Sequence, residues 1–356
     1  MAFSFGKSKS IVGLDIGSSS VKVVELINRN KGIELQHVGI APLPPEAIVQ
    51  GAFLNSGAIV DAISQAVDEA GIKTKNVATA VSGHSVIVKK ISLPMMTRDE
   101  LEESIRWEAE QYIPFDINEV NLDFQILESG EAEGQMDVLL VAAKKDLIDD
   151  YVQVISEAGL TASVIDVAAF AVENAFEANC DPNPDEVVAL VNIGAQVVSI
   201  NIVDHGVPAF TRDVSTGGNV YTEEIQKALS VGWEEAERLK IGGGPDEESQ
   251  EVVPQEVEKA MRSVTETVLG EISRSLDFFS ATAAEARISK VVLSGGGSRV
   301  SGLDAAFQGK TNLPVEMLNP LARVMPSSKF DQQYLDQVAP LLSVSVGLGL
   351  RRTDDQ

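Results

Sequence analysis

The sequence predicts an α/β protein of two similar lobes facing each other across a cleft, with a small α+β subdomain inserted into the first lobe. Three observations carry this. The segment IVGLDIGSSSVKVVEL returns in weaker form after the midpoint as VALVNIGAQVVSINIV, each reading as strand, glycine turn, strand. A repeat of this length indicates two like domains rather than a solenoid. The linker DPNPDE at 181–186, with its prolines and acids, has the composition of a boundary between them. Within the first lobe, the order strand, helix, strand, strand, helix from His84 onward reads as an insertion.

The elements follow in order. Residues 9–26 form the first strand, the turn Gly17-Ser18-Ser19-Ser20 and the second strand, and 33–40 complete an antiparallel meander. Residues 41–57, with Pro42, Pro44 and Pro45, read as a loop. An amphipathic helix at 59–70 stops at Gly71, and 77–82 is a short buried strand. A strand at 86–93 ends at Pro94. Thr97 with Glu100 three residues on is a capping box, opening a helix to about Gln111. Strands at 121–127 and 136–143 flank the acidic loop 128–135, and a helix covers 145–158. Residues 163–166 and a helix at 168–178 return to the first lobe. Past the linker come helices at 221–230, 233–241 and 254–287, a strand at 290–294, Gly295-Gly296-Gly297, and a final helix ending at Leu350-Arg351-Arg352. The expected divisions are 1–83 and 163–184 for the first lobe with its linker, and 84–162 for the insert. The second lobe takes 185–220 and 288–356, the latter with the glycine loop and last helix, around a helical subdomain at 221–287.

The bulk numbers narrow the function. The 356 residues suffice for more than one sizeable core, and 44% hydrophobic with 23% charged is an ordinary balance for a folded protein. A net charge of −25 argues against nucleic acid, whose phosphates need Lys and Arg, and against adhesion to anionic lipid. A single cysteine, Cys180, permits no internal disulfide and suits a reducing compartment. His37, His84 and His205 are scattered, and no Cys/His cluster has metal-ligand spacing. The N-terminus lacks a signal-peptide core, and the uncharged stretch 187–203 is broken by polar residues. A cytoplasmic chain that meets a membrane only through a partner is the expectation.

The chemistry concentrates in three glycine segments. In the first hairpin, Gly17 lets the backbone turn tightly beside an anion, and successive N–H groups in such a turn form an anion-binding nest. The hydroxyls of Ser18, Ser19 and Ser20 add donors, Lys22 supplies a cation for a phosphate oxygen, and Asp15 can hold Mg²⁺ through water. The second hairpin, Asn192-Ile193-Gly194-Ala195-Gln196, would clasp a triphosphate from the other side. The strand leading into Gly295-Gly296-Gly297 removes side chains where a flat ring could lie on backbone.

Two glycine-turn hairpins and a late Gly-Gly-Gly loop resemble the ATPase superfamily of actin, sugar kinases and heat-shock chaperones, with its two-lobed actin-like (ribonuclease H-like) fold. The resemblance implies that Asp15 organises Mg²⁺ and that Gly17 to Ser20, Lys22, Asn192, Gly194 and Ala195 grip the phosphates of ATP. It places adenosine on Gly295, Gly296, Gly297 and Arg299. Gly217, Gly218 and Asn219 look like the family's interdomain ligand turn. Glu237 and Lys240, on one helix face at i and i+3, look like its ribose and adenine contacts.

The insert, the run ESIRWEAEQYIPF at 103–115, the run RDVSTGGN and the last helix are similar to the FtsA/PilM branch, and to PilM-like proteins above all. That implies an ATP-binding cytoplasmic adaptor of type IV pilus assembly, peripheral to the inner membrane. It would hold the cytoplasmic tail of a PilN-like bitopic membrane protein and meet other pilus-platform and motor proteins; homo-oligomerisation stays open. On the inserted helix, Leu101, Ile105, Ala109 and Tyr112 form one stripe and Trp107 falls nearly opposite. Trp107, Tyr112 and Phe115 are the expected partner contacts. Asp166 stands where relatives position the attacking water, or else caps a helix. Relatives start the second loop with Asp where this chain has Asn192, so the sequence predicts ATP binding and leaves weak ATPase activity open. The alternative is a small-molecule kinase, for which no acceptor base is evident.

Overall fold

The computed structural model describes residues 11–30, 32–127, 134–241, 255–283 and 286–352; most of the acidic loop 128–135 lies outside them. The first lobe opens with strands β1 (Val12–Ile16), β2 (Ser20–Arg29) and β3 (Gly32–Pro42), each pairing antiparallel with the next. A tight hairpin of β4 (Ile48–Val49) and β5 (Ala52–Phe53) follows, within the stretch 41–57 that the prolines marked as a loop. Helix α1 (Ser56–Ala70) starts at Asn55, whose side chain accepts from the Ala58 N–H at 3.1 Å, and stops at Gly71 with φ +70°. Strand β6 (Asn76–Val81) then pairs parallel with β1.

The chain leaves this sheet at Gly83 and forms β7 (Val86–Pro94), α2 (Arg98–Ala109), β8 (Val120–Leu127) and β9 (Gln135–Lys144). They make a separate three-stranded sheet in the order β7-β9-β8, with a core of its own under α2 that includes Leu101, Ile105, Val138 and Leu140. The capping box of α2 is complete. Thr97 Oγ1 accepts from the Glu100 N–H at 3.3 Å, and the Thr97 N–H donates to Glu100 Oε2 at 2.8 Å. Helix α3 (Lys145–Glu157), strand β10 (Thr161–Val167) and helix α4 (Ala168–Asn179) lead back, β10 pairing parallel with β6.

The second lobe repeats the plan with β11 (Val187–Ile193), β12 (Val198–Asp204) and β13 (Val207–Val214), then α5 (Gly218–Leu229), α6 (Trp233–Lys240) and α7 (Gln255–Thr282). Strand β14 (Ile288–Ser294), helix α8 (Leu303–Thr311) and strand β15 (Val315–Met317) complete its sheet. The first sheet reads β10-β6-β1-β2-β3 with an added edge strand, β16 (Met325–Pro326); the second reads β15-β14-β11-β12-β13. Meander and parallel strands thus fall in the same order in both, and the weak sequence repeat marks a structural one. Helix α9 (Gln332–Val338) and helix α10 (Ser343–Gly349) close the chain.

Alternation along the strands sorts the two faces of each sheet. Val12, Leu14 and Ile16 face a core with α1 and α3, while Val187, Ala189, Val191 and Ile193 face one with α7 and α8. The opposite faces share a third core around α4, which packs on strands of both sheets. Helix α10, which the sequence grouping placed with the second lobe, instead packs on β1, β2 and α4. Glycine makes that fit. A Cβ on Gly13 would lie 1.9 Å from the Ser345 carbonyl oxygen, and one on Gly347 would lie 1.7 Å from that of Ala171. Among the described residues no helix is long and apolar enough to cross a membrane.

Candidate functional site

The first glycine turn joins β1 to β2 and is closed by a hydrogen bond from the Gly17 N–H to the Ser20 carbonyl at 3.2 Å. Asp15 and Lys22 are directly opposite each other in the ladder, so their side chains leave the same face. Lys22 Nζ lies 3.2 Å from Asp15 Oδ2 and donates to the Ser20 carbonyl at 3.3 Å, although Lys22 is only 8% exposed. A Cβ on Gly17 would sit 3.1 Å from Lys22 Nζ. Gly17 therefore leaves room for the buried ammonium, which a side chain there would push back by a few tenths of an ångström.

The second turn joins β11 to β12 and is closed from the Gly194 N–H to the Val197 carbonyl at 2.9 Å. The Gly217-Gly218 turn lies directly on it: Gly218 N–H donates to the Gly194 carbonyl at 2.9 Å and Asn219 N–H to that of Ala195 at 2.8 Å. A Cβ on Gly217 would meet those two carbonyl oxygens at 2.6 and 2.7 Å. The third glycine segment continues from β14 into a 3₁₀ turn, Gly296–Arg299, and leans on the same place. Gly295 has φ +83°, and a Cβ there would lie 2.5 Å from the Ile193 carbonyl oxygen and 2.6 Å from Asn192 Oδ1. Ser294 Oγ donates to that same Oδ1 at 3.1 Å, which leaves the Asn192 amide N–H₂ as the group on offer.

Lys240 on α6 reaches this junction. Its Nζ is 2.6 Å from Glu237 Oε2, 3.0 Å from Thr222 Oγ1 and 3.3 Å from the Gly218 carbonyl. The Thr222 hydroxyl donates to Glu237 Oε2 at 2.5 Å. A Cβ on Gly218 would be 3.8 Å from Lys240 Nζ and 3.9 Å from Gly297 Cα, so α6, the Gly-Gly turn and the glycine loop meet at one point. The structure thus brings together Asn192, Gly194, Ala195, Gly217, Gly218, Asn219, Glu237, Lys240 and the glycine loop on the second lobe. Arg299 turns away, with Nη1 donating to the Gln337 carbonyl at 3.3 Å.

Asp166 lies in β10, opposite Ala80 of β6, and β6 pairs with β1 in a register that puts Asp15 in the same row. Two strand spacings separate the two residues, roughly 9–10 Å. Asp166 is not the cap of α4, which begins after Val167 without a side-chain cap. Its Oδ2 instead lies 3.1 Å from Arg351 Nε, and it is buried. On the inserted subdomain, Tyr112 and Phe115 pack against the insert's core, with Lys144 Nζ 4.7 Å from the Phe115 ring centre, whereas Trp107 is 74% exposed.

Sequence reasoning missed the groups that join the lobes. Asp213 on β13 accepts from the Gly83 N–H at 2.5 Å, at the point where the chain enters the insert. Burial pushes its carboxyl above the ordinary range, against the pull of hydrogen bonds from Ser199 and Gly83. Glu173 on α4 accepts from Asn201 Nδ2 of β12 at 2.7 Å, and Thr211 donates to Asn201 Oδ1 at 3.2 Å. Burial raises the Glu173 carboxyl to about 8, with a smaller push from Glu177 and Asp166. Asn201 and Thr211 occupy opposing strand positions, a pattern visible in the sequence only once the second meander is placed. Among the described residues no three of His, Cys, Asp and Glu group to hold a metal ion. Asp15 alone fits a Mg²⁺ held mainly by phosphates and water, the usual way this hard cation binds.

The family model described as "Type IV pilus assembly protein PilM" matches residues 13–353. The solved structure of a PilM-PilN type IV pilus biogenesis complex superposes with a TM-score of 0.85 at 31% identity, covering 98% of this chain and 99% of that one. The cell division protein FtsA of Borreliella burgdorferi is 22% identical, over 97% of this chain and 91% of its own. FtsA of Bacillus subtilis is 23% identical over 64% of this chain, and the match spans 57% of that protein's length. The ethanolamine utilization protein EutJ of Carboxydothermus hydrogenoformans shares the fold, with a TM-score of 0.56 at 16% identity.

Proposed function

The chain belongs to the PilM family of type IV pilus assembly proteins, in the actin-like ATPase fold, and from that premise we propose that it is an ATP-binding adaptor for the cytoplasmic tail of a PilN-like membrane protein. One observation carries the nucleotide half of this reading: the Gly194 turn, the Gly217-Gly218 turn, the Gly295-Gly296-Gly297 loop and the Lys240–Glu237–Thr222 cluster converge on one end of the second sheet. The first turn carries its own buried cation, Lys22. Lys22 with the first turn and the Asn192 amide with the second would hold the phosphates; Glu237 and Lys240 would hold the nucleoside end. Mg²⁺ would supply charge neutralisation beside Asp15.

The same geometry favours retention of ATP over turnover. Asn192 presents an amide donor, which can hold a phosphate oxygen but cannot serve as a base. Asp166 is buried, and its carboxylate is already engaged by Arg351 at Oδ2 and by the Val167 N–H at Oδ1. A kinase reading would need a free acceptor base in the cleft, and neither residue supplies one.

The partner half rests on family membership and on the insert. The polar row Asn192, Ser199 and Asp213 crosses the second sheet in register, and Asp213 holds the Gly83 N–H at the root of the insert. Closing the lobes on ATP would therefore set the position of the insert, to the extent that closed and open forms differ in affinity for the tail. Trp107 is the proposed direct contact, with Tyr112 and Phe115 as buttress. Replacing Trp107 by Ala should weaken tail-peptide binding by at least about tenfold, as loss of an aromatic anchor does at an interface. The melting temperature should not change, because the ring covers no core. Unchanged affinity in a calorimetric titration would remove Trp107 from the partner surface.

A further inference from the structure

The segment between β3 and α1 runs from one glycine turn to the other. At its start the Leu43 N–H donates to the Ser19 carbonyl of the first turn at 2.9 Å. Its middle folds back on itself, with the Leu54 and Asn55 N–H groups both donating to the Ala47 carbonyl, at 2.9 and 3.2 Å. Ala47 and Ile48 are buried, and the Phe53 ring lies 4.8 Å from that of Tyr151 on α3. The tip is the two-residue turn Gln50-Gly51, with φ +50° and +84°, the positive-φ pair such hairpins require.

That tip meets the second turn through one side chain. The Gln50 N–H donates to Gln196 Oε1 at 3.1 Å, and Gln196 Nε2 donates to the Ile48 carbonyl at 2.7 Å. An amide is the side chain that suits this position, since it accepts from a backbone N–H and donates to a backbone carbonyl at once. A glutamate could make only the first bond and would set a carboxylate oxygen against the Ile48 carbonyl.

We infer that residues 43–55 are a strap across the phosphate end of the cleft, and that Gln196 is its latch, setting how fast nucleotide enters and leaves. The inference rests on the nucleotide reading above. A segment fixed to the first turn and clipped to the second must release Gln196 before the lobes can part at that end. The rest of the strap stays rooted in the first lobe's core, so release requires only the tip to let go. The latch then acts on exchange rates in both directions more than on equilibrium affinity.

The test is stopped-flow binding and release of a fluorescent ATP analogue with Mg²⁺, on the full chain and on Gln196→Ala and Gln196→Glu. Melting curves check that both variants fold. Two lost hydrogen bonds should speed association and dissociation together by about tenfold in Gln196→Ala, with Kd changed by less than about threefold. Gln196→Glu, which keeps one bond and adds a repulsion, should be accelerated as well. Nucleotide binding to all three with the same rates would overturn the latch and leave the nucleotide reading standing. No binding to the unmodified chain would overturn that reading and the latch with it.

Discussion

Lys22→Ala is expected to weaken ATP binding by about 10- to 100-fold, the range for losing a hydrogen bond to a charged group. Two effects act in the same direction. The substitution removes the cation that faces the first turn, and it strips Asp15 of the partner 3.2 Å away, leaving a half-buried carboxylate beside incoming phosphates. Replacing Asp15 by Asn as well separates them. The double variant should recover part of the Mg²⁺-free affinity, because the repulsion is gone, while losing the gain that Mg²⁺ gives. Calorimetry on both variants, with and without Mg²⁺, measures this directly. Unaltered affinity in Lys22→Ala would mean that the first turn does not hold phosphate.

Glu173→Gln is expected to stabilise the fold, and more so as pH rises. Glu173 is buried between α4 and β12, and its carboxyl is raised from an ordinary 4.5 to about 8. Between those values the folded chain keeps a proton that the unfolded chain has lost. The unfolded state binds fewer protons there, so stability falls as pH rises through this window. The loss is complete above about pH 8 and absent below the unfolded value; at full size it is at most on the order of 5 kcal/mol. Glutamine accepts the same hydrogen bond from Asn201 without ever ionising. The variant should therefore melt several degrees higher at pH 8 and equal the parent near pH 4.5. Equal melting temperatures at both pH values would show that the carboxyl titrates normally.

Much of the fold was legible because its signals are local. The capping box at Thr97 and Glu100, the stop at Gly71 and the two glycine turns each depend on a few neighbouring residues, and each stands where periodicity and turn chemistry predicted it. The hairpin at 48–53 was missed because Pro42, Pro44 and Pro45 dominate its neighbourhood. The pair Gln50-Gly51 between Ile48-Val49 and Ala52-Phe53 was the signal that could have found it.

The glycines of the site were legible as a set but not in their reasons. Gly217, Gly295 and Gly297 are required by contact with the end of β11 and the turn after it, a relation that exists only once the strands are ordered. Contacts between residues more than a hundred apart in sequence were illegible for the same reason: Gln196 with Ile48, and Asp213 with Gly83. Asp166 shows the limit from the other side. Its place beside a helix start suggested a cap, and only the return of the C-terminal segment to the first lobe supplied Arg351 as its partner.

The central claim is that nucleotide binding in the cleft governs tail binding at the insert. The most direct measurement is a calorimetric titration of the full chain with the cytoplasmic N-terminal peptide of a PilN-like protein, with and without ATP and Mg²⁺. The account predicts binding at least about tenfold tighter with ATP, a coupling of the size usual between linked sites. Affinity that is the same in both states, or no binding in either, would contradict it.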